Sequence, residues 1–218
     1  EISKLNNLVA MVGHTFIFNQ AVRDIKKYIN EGILGDIRYI YGQRVNLGRI
    51  RKDVDALWNL APHDISIVQY WLDEEIPTEV NTIGMDYVQD GINDVVFMNI
   101  KYQNKIMVNL QLSWLDPNKI RKLTIVGSKK MIVYDDIVDN KIMIYDKGID
   151  PIAKLGEKMD FDKLNSIDYN HRSGNVITPA IDWTEPLCNE IDHFFDCIET
   201  NCDCLTGTSH AKNVIRIL

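Results

Sequence analysis

The residues best suited to proton-transfer chemistry lie in one short segment, Trp58-Asn59-Leu60-Ala61-Pro62-His63-Asp64-Ile65. Pro62 predicts a helix from about Leu60 to Leu72, since proline fits a first turn, where its missing N–H has no intrahelical partner. Asn59 and His63 are four residues apart and share one helical face. A first-turn His63 should stay neutral because the positive end of the helix dipole disfavours a second charge. We therefore predict His63 as a general base; a capping or packing histidine is the alternative.

We group two neighbours with His63: Asn59 as a second catalytic residue and Trp58 as a substrate contact.

A second set of residues could bind an anion. Four cations lie within nine residues, namely Arg44, Arg49, Arg51 and Lys52. Guanidinium groups bind phosphate and carboxylate through paired hydrogen bonds. We predict that Arg44, Arg49 and Arg51 hold the anionic end of a substrate, with a solvated surface loop as the alternative.

A third candidate is the segment Gly13-His14-Thr15-Phe16-Ile17-Phe18-Asn19. It follows the apolar run Leu8 to Val12, and open α/β sheets bind ligands at the carboxyl ends of such strands. We assign His14 and Phe16 to cofactor binding and Asn19 to substrate binding. The alternative is that Phe16 is a core residue and Asn19 only caps the next helix.

The order of elements places these clusters in an α+β fold. Leu8 to Val12 has the pattern of a strand buried in a parallel sheet, although nothing before it could supply the other strands. We therefore expect residues 1–18 to be the tail end of a truncated Rossmann dinucleotide-binding domain. Residues 19–218 would form a substrate-binding and oligomerisation domain.

Within that domain, Asn19 and Gly32 mark the two ends of a first helix. A strand from Ile37 to Val45 follows. Three longer strands form an antiparallel meander in a large open sheet with helices on one face. They are followed by three shorter strands, an irregular stretch from Gly148 to Trp183 and two final helices. The ranges predicted as strands are Glu79 to Val88, Asn93 to Tyr102, Lys105 to Trp114, Lys122 to Val126, Met131 to Tyr134 and Lys141 to Tyr145.

The composition of the chain argues against several classes of binding partner. The net charge of −7 and the pI near 5.2 argue against nucleic acid, which needs a concentrated basic face. The longest apolar runs are far shorter than the roughly 20 residues of a membrane helix. We expect a cytoplasmic protein that does not bind membranes. The four cysteines lack the paired C-x-x-C spacing of zinc sites, so we predict no metal, with a cluster recruiting His193 as the alternative.

Taken in order, these segments resemble the Gfo/Idh/MocA oxidoreductases, the family of glucose-fructose oxidoreductase and inositol dehydrogenase, and among them most closely the nucleotide-sugar dehydrogenases. The resemblance spans nearly the whole chain. It rests on Met11-Val12-Gly13-His14-Thr15-Phe16 with Phe18-Asn19, on Gly35-Asp36-Ile37, on Leu57 to Ile65, on Glu185-Pro186-Leu187 and on His193-Phe194.

The resemblance implies hydride transfer between a sugar carbon and NAD or NADP, with the family histidine at His63. It also implies a Rossmann domain followed by an α+β domain with a large open sheet. The sequence departs from the family in having Asn59 where aspartate is frequent, and in having neither a G-x-G-x-x-G turn nor a Glu-Lys-Pro segment. We therefore expect the chain alone to be inactive. A non-catalytic binding or oligomerisation module that uses the same sheet is the alternative.

Apolar residues on both sides of the meander predict an interface between subunits. Val95, Phe97, Met107 and Trp114 cannot all share one buried face if side chains alternate with a period of two. Exposed apolar area of this size usually marks an interface. We expect a homodimer or homotetramer joined through the open sheet face.

Overall fold

The computed structural model describes residues 2–151 and 169–218. These form an eight-stranded sheet with helices against one face. The α+β class predicted from the sequence is confirmed. The helices are α1 (Ile2–Leu5), α2 (Gln20–Asn30), α3 (Ala56–Trp71), α4 (Pro186–Thr200) and α5 (Thr208–Ile217), with a 3₁₀ turn at Thr15–Phe18. The strands are β1 (Ile37–Leu47), β2 (Glu79–Met85), β3 (Val95–Lys101), β4 (Met107–Ser113), β5 (Leu115–Gly127), β6 (Met131–Asp135), β7 (Ile142–Pro151) and β8 (Tyr169–Ile177).

The strands lie in the order β2-β3-β4-β1-β5-β6-β7-β8. The predicted meander is confirmed, since β2, β3 and β4 pair antiparallel along their whole lengths. The sheet is not purely antiparallel, however, because β1 runs parallel to β4. Helix α3 and strands β2 and β3 separate β1 from β4 in sequence, so this pairing is a crossover connection, the kind that parallel neighbours require.

Period-two alternation decides which side chains enter the core. On β3, Val96, Met98 and Ile100 are buried, whereas Phe97 between them is 45% exposed. Helix α3 packs against the buried side of β1, β3 and β4, and α2 packs against β6. The core therefore lies between the sheet and these helices, with Trp71 of α3 fully enclosed.

The opposite face of the sheet carries no helix among the described residues. It exposes Tyr39 and Tyr41 of β1, Ile83 of β2, Phe97 of β3 and Met107 of β4. Amide side chains pair across the strands on the same face, Gln43 with Gln111 at 2.8 Å and Asn109 with Asn99 at 2.8 Å. We call this surface the open face. Among the apolar residues that the sequence predicted to divide between two faces, Phe97 and Met107 lie on it, whereas Trp114 is buried on the other side.

The helix ends follow the predicted signals in part. The Asn19 side chain accepts a hydrogen bond from the backbone N–H of Ala21 and so caps α2, and Gly32 just beyond that helix has a φ of +69°. Both agree with the prediction.

By contrast, Leu8 to Val12 is not a strand: it is a partly exposed segment held by one antiparallel bridge between Met11 and Gly207. The assignment of residues 1–18 to a truncated Rossmann domain stays a prediction.

The irregular stretch predicted from Gly148 to Trp183 is correct for residues 178–183 but wrong for the other residues of it that the structure describes. Strand β7 continues to Pro151, and β8 covers Tyr169–Ile177 as an edge strand. Residues 152–168 of that stretch lie outside the described residues. Among residues 2–151 and 169–218, no helix combines the length and apolar character that crossing a bilayer requires.

Candidate active site

Helix α3 positions the predicted base, but it begins earlier than the sequence indicated. Its N-cap is Asp55, whose side chain accepts a hydrogen bond from the backbone N–H of Trp58 at 2.9 Å. Pro62 therefore lies inside the helix, and Asn59 is its fourth residue. His63 is the eighth residue of α3. Because it lies beyond the first turn, the helix dipole cannot be what keeps its ring neutral.

Burial and nearby cations keep His63 neutral instead. The pKa of the imidazole is lowered to about 4, first by removal from water and then by the charges of Arg44 and Arg121. The ring contacts the edge of Phe16, with 5.1 Å between the ring centroids. Its Nδ1 atom is buried and has no hydrogen-bond partner among the described residues. His63 is thus a neutral ring with unused hydrogen-bonding capacity, placed against the 3₁₀ turn.

An ion pair between β1 and α3 fixes this part of the helix. Arg44 donates to both carboxylate oxygens of Asp64, from Nε at 2.9 Å and from Nη2 at 2.7 Å. Both side chains are at most 5% exposed. Burial acts against the charge on Arg44, but Asp64 outweighs burial, so that the pKa of the guanidinium is raised. Arg44 also lies over the face of Phe16, 4.5 Å from its centroid.

Arg44 is therefore separated from the basic segment to which the sequence assigned it. It lies on the side of β1 that faces the helices, where its guanidinium is hydrogen-bonded to Asp64. Its contact with substrate stays a prediction. Asp64 itself was present in the quoted segment but received no role. The signal that could have identified it is its position after His63, on the side of α3 that faces the sheet.

Asn19 is 1% exposed and belongs to a second buried network. Its Nδ2 donates to the hydroxyl of Tyr134 at 3.1 Å and to Asp136 Oδ1 at 3.4 Å. Burial first, and the charge of Asp136 second, raise the pKa of Tyr134 well above its usual value. Arg121 pairs with the other oxygen of Asp136 at 3.4 Å. This network links α2 to β5 and β6 behind Phe16, and sequence reasoning did not identify Tyr134, Asp136 or Arg121.

His14 lies at the entrance of the 3₁₀ turn and contacts α5. Its ring meets that of His210 edge to face, with 5.2 Å between centroids. His210 in turn pairs through Nδ1 with Glu74 Oε1 at 2.6 Å. Burial, followed by repulsion from His210 and His63, lowers the pKa of His14 to about 4. His14 is therefore a second neutral ring close to His63.

The basic segment borders a cavity of about 230 Å³ beside the start of α3. Arg49 is exposed and has no ion-pair partner among residues 2–151 and 169–218, whereas Arg51 forms a bidentate pair with Asp53. Asn59 accepts a hydrogen bond from Trp114 Nε1 at 3.1 Å. The lining is Asn46, Gly48, Arg49, Arg51, Asn59, Leu60 and Trp114.

The structure thus divides the predicted site residues into two neighbouring groups. His14, Phe16 and His63 form one group around the 3₁₀ turn. Asn59, Arg49 and Arg51 form the other, around the cavity. Asn59 and His63 are one helical turn apart on α3, but His63 itself does not line the cavity. Trp58 is 50% exposed and does not line the cavity.

Comparisons with known proteins identify the domain. The model of the GFO/IDH/MocA C-terminal domain matches residues 22–133, slightly more than half of the chain. A protein of Streptococcus pneumoniae serotype 4 described as an uncharacterized oxidoreductase is 27% identical over 116 residues, which cover 47% of this chain and 31% of that protein.

Solved structures share the fold at low sequence identity. The UDP-N-acetylglucosamine 3-dehydrogenase of Acidithiobacillus ferrooxidans aligns with a TM-score of 0.71 at 18% identity, covering 99% of this chain and 62% of that one. An inositol dehydrogenase homologue of Azotobacter vinelandii, solved with NADH and myo-inositol, gives 0.70 at 14% identity, with 99% and 62% covered. The chain therefore spans less than two thirds of the length of these relatives. The match to the family model, carried on the same sheet and helices, shows that the chain belongs to the GFO/IDH/MocA family and carries its C-terminal domain.

Proposed function

We propose that the protein is an NAD- or NADP-dependent oxidoreductase that takes a hydride from a hydroxyl-bearing carbon of a sugar or nucleotide sugar. The observation that carries the proposal is the half-buried, neutral His63 beside Phe16, one helical turn from a residue that lines a basic cavity. The Streptococcus relative, described as an oxidoreductase, and the sugar-related names of the similar structures support the same class of reaction. The cytoplasmic location stays a prediction.

The described residues suit the reacting end of a nicotinamide cofactor. Phe16 offers an apolar ring, and His14 and His63 are rings whose pKa values near 4 leave them uncharged beside it. No glycine-rich turn that could hold a diphosphate occurs in the 218 residues. The cofactor, when bound, supplies the hydride acceptor. His14 and Phe16 are the residues of this chain that we place against its ring.

His63 would accept the hydroxyl proton. Since Nδ1 is enclosed, Nε2 is the nitrogen that we assign to meet the sugar hydroxyl. A pKa of about 4 makes the imidazole a weak base, but the hydroxyl becomes strongly acidic as the hydride leaves its carbon. The low pKa also keeps the ring able to accept this proton throughout the neutral range. The Arg44–Asp64 pair fixes the turn of α3 that carries the ring.

The cavity would hold the anionic part of the substrate. Arg49 is the stronger anchor because it is free of any ion pair among the described residues, whereas Arg51 already shares its charge with Asp53. Anchoring at this distance fixes the reacting carbon near His63, and correct placement supplies much of the rate of such reactions. A nucleoside diphosphate or a uronic acid carries suitable charge.

The open face would join subunits. It combines exposed Tyr39, Tyr41, Phe97 and Met107 with uncharged amide pairs and with the ion pair between Lys101 and Glu79. Apolar surface of this extent usually marks an interface, and two-fold contacts are the commonest in soluble oligomers. A homodimer or homotetramer is therefore the proposed assembly.

Steady-state kinetics of the complete protein as encoded by its gene, with NAD and NADP and a panel of sugars and nucleotide sugars, test the reaction. We expect His63→Asn to lower kcat by about 10²–10⁴-fold, the usual contribution of a positioned base. His171→Asn, a change at an exposed histidine of β8, is the matched control and should leave kcat unchanged. Equal rates in the two variants would remove His63 from the mechanism. Absence of turnover with every pair would favour the binding-module alternative.

Binding of a uridine diphosphate sugar, measured by calorimetry, tests the anchor separately. Arg49→Ala should weaken binding by about 10-fold or more, since charge-assisted hydrogen bonds contribute about 1.5–3 kcal/mol. Arg38→Ala removes an exposed arginine of β1 outside the cavity and is the control. Equal affinities of the two variants would contradict the anchoring role.

A further inference from the structure

Four potential metal ligands meet where α4 ends. Ligand atoms of His193, Cys197 and Cys204 all lie within 4.8 Å of one another. Cys202 lies beside this trio, with its Sγ 3.4 Å from Cys197 Sγ, although it is not within 4.8 Å of all three. Cys197 Sγ lies 3.5 Å from His193 Nε2. This cluster, which we call the Cys/His cluster, belongs to neither group of the candidate active site.

Local backbone geometry produces the cluster. His193 and Cys197 are four residues apart on α4 and share a face. Asn201 ends the helix in the left-handed region, with a φ of +52°, and the backbone N–H of Cys202 returns to the Cys197 carbonyl at 3.2 Å. This reversal turns Cys202 and Cys204 back toward the helix.

The chain beyond the cluster is also anchored. The Thr206 hydroxyl donates to the Val12 carbonyl at 2.8 Å, and the Val12 N–H donates to the Thr206 carbonyl at 2.9 Å. These bonds tie the cysteine loop to the segment that leads into the 3₁₀ turn. Cys197 and Cys204 are buried and only Cys202 is exposed, so the cluster has one open side. The turn after α4 and the bonds between Thr206 and Val12 therefore hold the ligands close to one another.

We propose that the Cys/His cluster is a binding site for a soft divalent cation, Zn²⁺ being the best fit, ligated by the thiolates of Cys197, Cys202 and Cys204 and by His193. Three sulfurs and one imidazole are a common ligand set of structural zinc. Bond lengths of about 2.3 Å to sulfur and 2.0–2.1 Å to nitrogen place tetrahedral ligand atoms roughly 3.5–3.8 Å apart. The 3.4 and 3.5 Å separations are close to that spacing. The carboxyl end of α4 adds a favourable negative potential for a cation.

Binding requires Cys202 Sγ to move toward the other three ligand atoms, and it requires two further changes. The three thiols release their protons to solvent, as every thiolate ligand must. His193 Nε2 now accepts a hydrogen bond from the backbone N–H of Leu205 at 2.9 Å, which shows that its lone pair faces the loop. A metal ion bound at Nε2 takes that lone pair, so the Leu205 N–H must turn to a cysteine sulfur. The site therefore couples the position of Leu205 to metal binding.

A metal titration of the complete, chemically reduced protein tests the site, with Co²⁺ as the probe in place of Zn²⁺. Tetrahedral thiolate-bound Co²⁺ has strong visible absorption that oxygen-ligated Co²⁺ lacks. We expect one Co²⁺ per chain with this absorption, displaced by one Zn²⁺. Cys202→Ser should weaken binding at least about 100-fold, because loss of even an outer-shell partner of a metal ligand reduces affinity 10–100-fold.

Cys188→Ser is the matched control, because Cys188 is an exposed cysteine on the same helix outside the cluster. It should bind Co²⁺ as the unaltered protein does. Cys202 is exposed, so its replacement leaves the core intact, whereas replacement of the buried Cys197 disturbs the core. The Leu205 amide resonance should shift with metal in the control and not in Cys202→Ser.

Two results would overturn the proposal. One is the absence of thiolate-bound Co²⁺ absorption while thiol titration shows all four cysteines reduced. The other is equal Co²⁺ affinity in Cys202→Ser and Cys188→Ser.

Discussion

Helices α3 and α4 are nearly equal in length, 16 and 15 residues, but they bury different kinds of side chains. Helix α3 buries a mainly apolar side against the sheet, including Ile65, Val68 and Trp71. Helix α4 buries Glu190 and Cys197, and it exposes its own apolar stripe, Leu187, Ile191, Phe195 and Ile198, each by 46–58%. The same apolar periodicity thus belongs to a buried face in α3 and to an exposed face in α4.

The contacts of α4 explain this difference. Its buried side faces the 3₁₀ turn: Glu190 accepts a hydrogen bond from the Thr15 hydroxyl at 2.6 Å, and Asn189 donates to the Phe18 carbonyl at 3.1 Å. These polar contacts leave the stripe pointing away from the sheet. Exposed apolar stripes of this kind usually meet another protein surface. The comparison therefore separates residues that hold this fold together from residues available to a partner.

The largest expected effect on stability comes from breaking the ion pair between Arg44 and Asp64 of α3. Asp64→Asn should destabilise the fold by about 3–5 kcal/mol, because it leaves the Arg44 guanidinium buried without a counter-charge. Glu190→Gln on α4 should change the free energy of unfolding by less than about 1 kcal/mol, since the Thr15 hydroxyl keeps an acceptor and no cation pairs with Glu190 in the described part of the chain. Urea unfolding measures both. A similar loss in the two variants would contradict the distinction between the helices.

A matched pair of isoleucines gives the next largest effect. Ile65 on α3 is fully buried and Ile191 on α4 is 46% exposed. Ile65→Ala should cost about 3 kcal/mol through lost burial and a residual cavity. Ile191→Ala should stay within about 0.5 kcal/mol, as exposed substitutions do. A large loss at Ile191 in urea unfolding would show that another surface already covers the stripe.

Much of this architecture follows from local patterns, but neighbour choice does not. Alternation along β3 and β4 correctly separated their two faces. The parallel pairing of β1 with β4 depends on contacts between distant segments, which a single strand's pattern does not encode. Strand β8 was missed because Tyr169–Ile177 is largely polar, as edge strands often are. Pro62 misplaced the start of α3, since tertiary packing tolerates a proline inside this helix.

The sequence predicted which residues belong to the candidate site better than it predicted which residues they contact. His63 and Phe16 were both named from the sequence, and they touch. Arg44 was grouped with Arg49 because they are close in sequence, but the phase of β1 directs it to Asp64 in the core. The neutral state of His63 was predicted for the wrong reason: burial and Arg44 cause it, and both depend on the folded chain.

The histidines of the two helices sharpen the comparison through pH. The pKa of His63 is about 4 in the folded chain and about 6.5 when unfolded, so the unfolded state takes up a proton first as the pH falls. Stability should therefore drop by about 2 kcal/mol between pH 7 and pH 5 from this residue alone. His63→Asn should remove that part of the loss in urea unfolding. Burial also lowers the pKa of His193, which is less deeply buried, so His193→Asn should flatten the profile less. Equal profiles in both variants would refute the assignment.

The smallest expected effect concerns how the two helices begin. Asp55 caps α3 by accepting a hydrogen bond from the Trp58 N–H, whereas Glu185 at the corresponding position of α4 makes no side-chain cap bond. Asp55→Ala should therefore destabilise the fold by about 1 kcal/mol, the usual contribution of an N-cap. Glu185→Ala should change stability by less than about 0.5 kcal/mol. Asp55→Asn keeps an acceptor oxygen at the cap and should recover most of the loss, which separates capping from general disturbance of the loop. If Asp55→Asn is as unstable as Asp55→Ala, the carboxylate acts through its charge and not through the cap bond, and the earlier start of α3 then needs another cause.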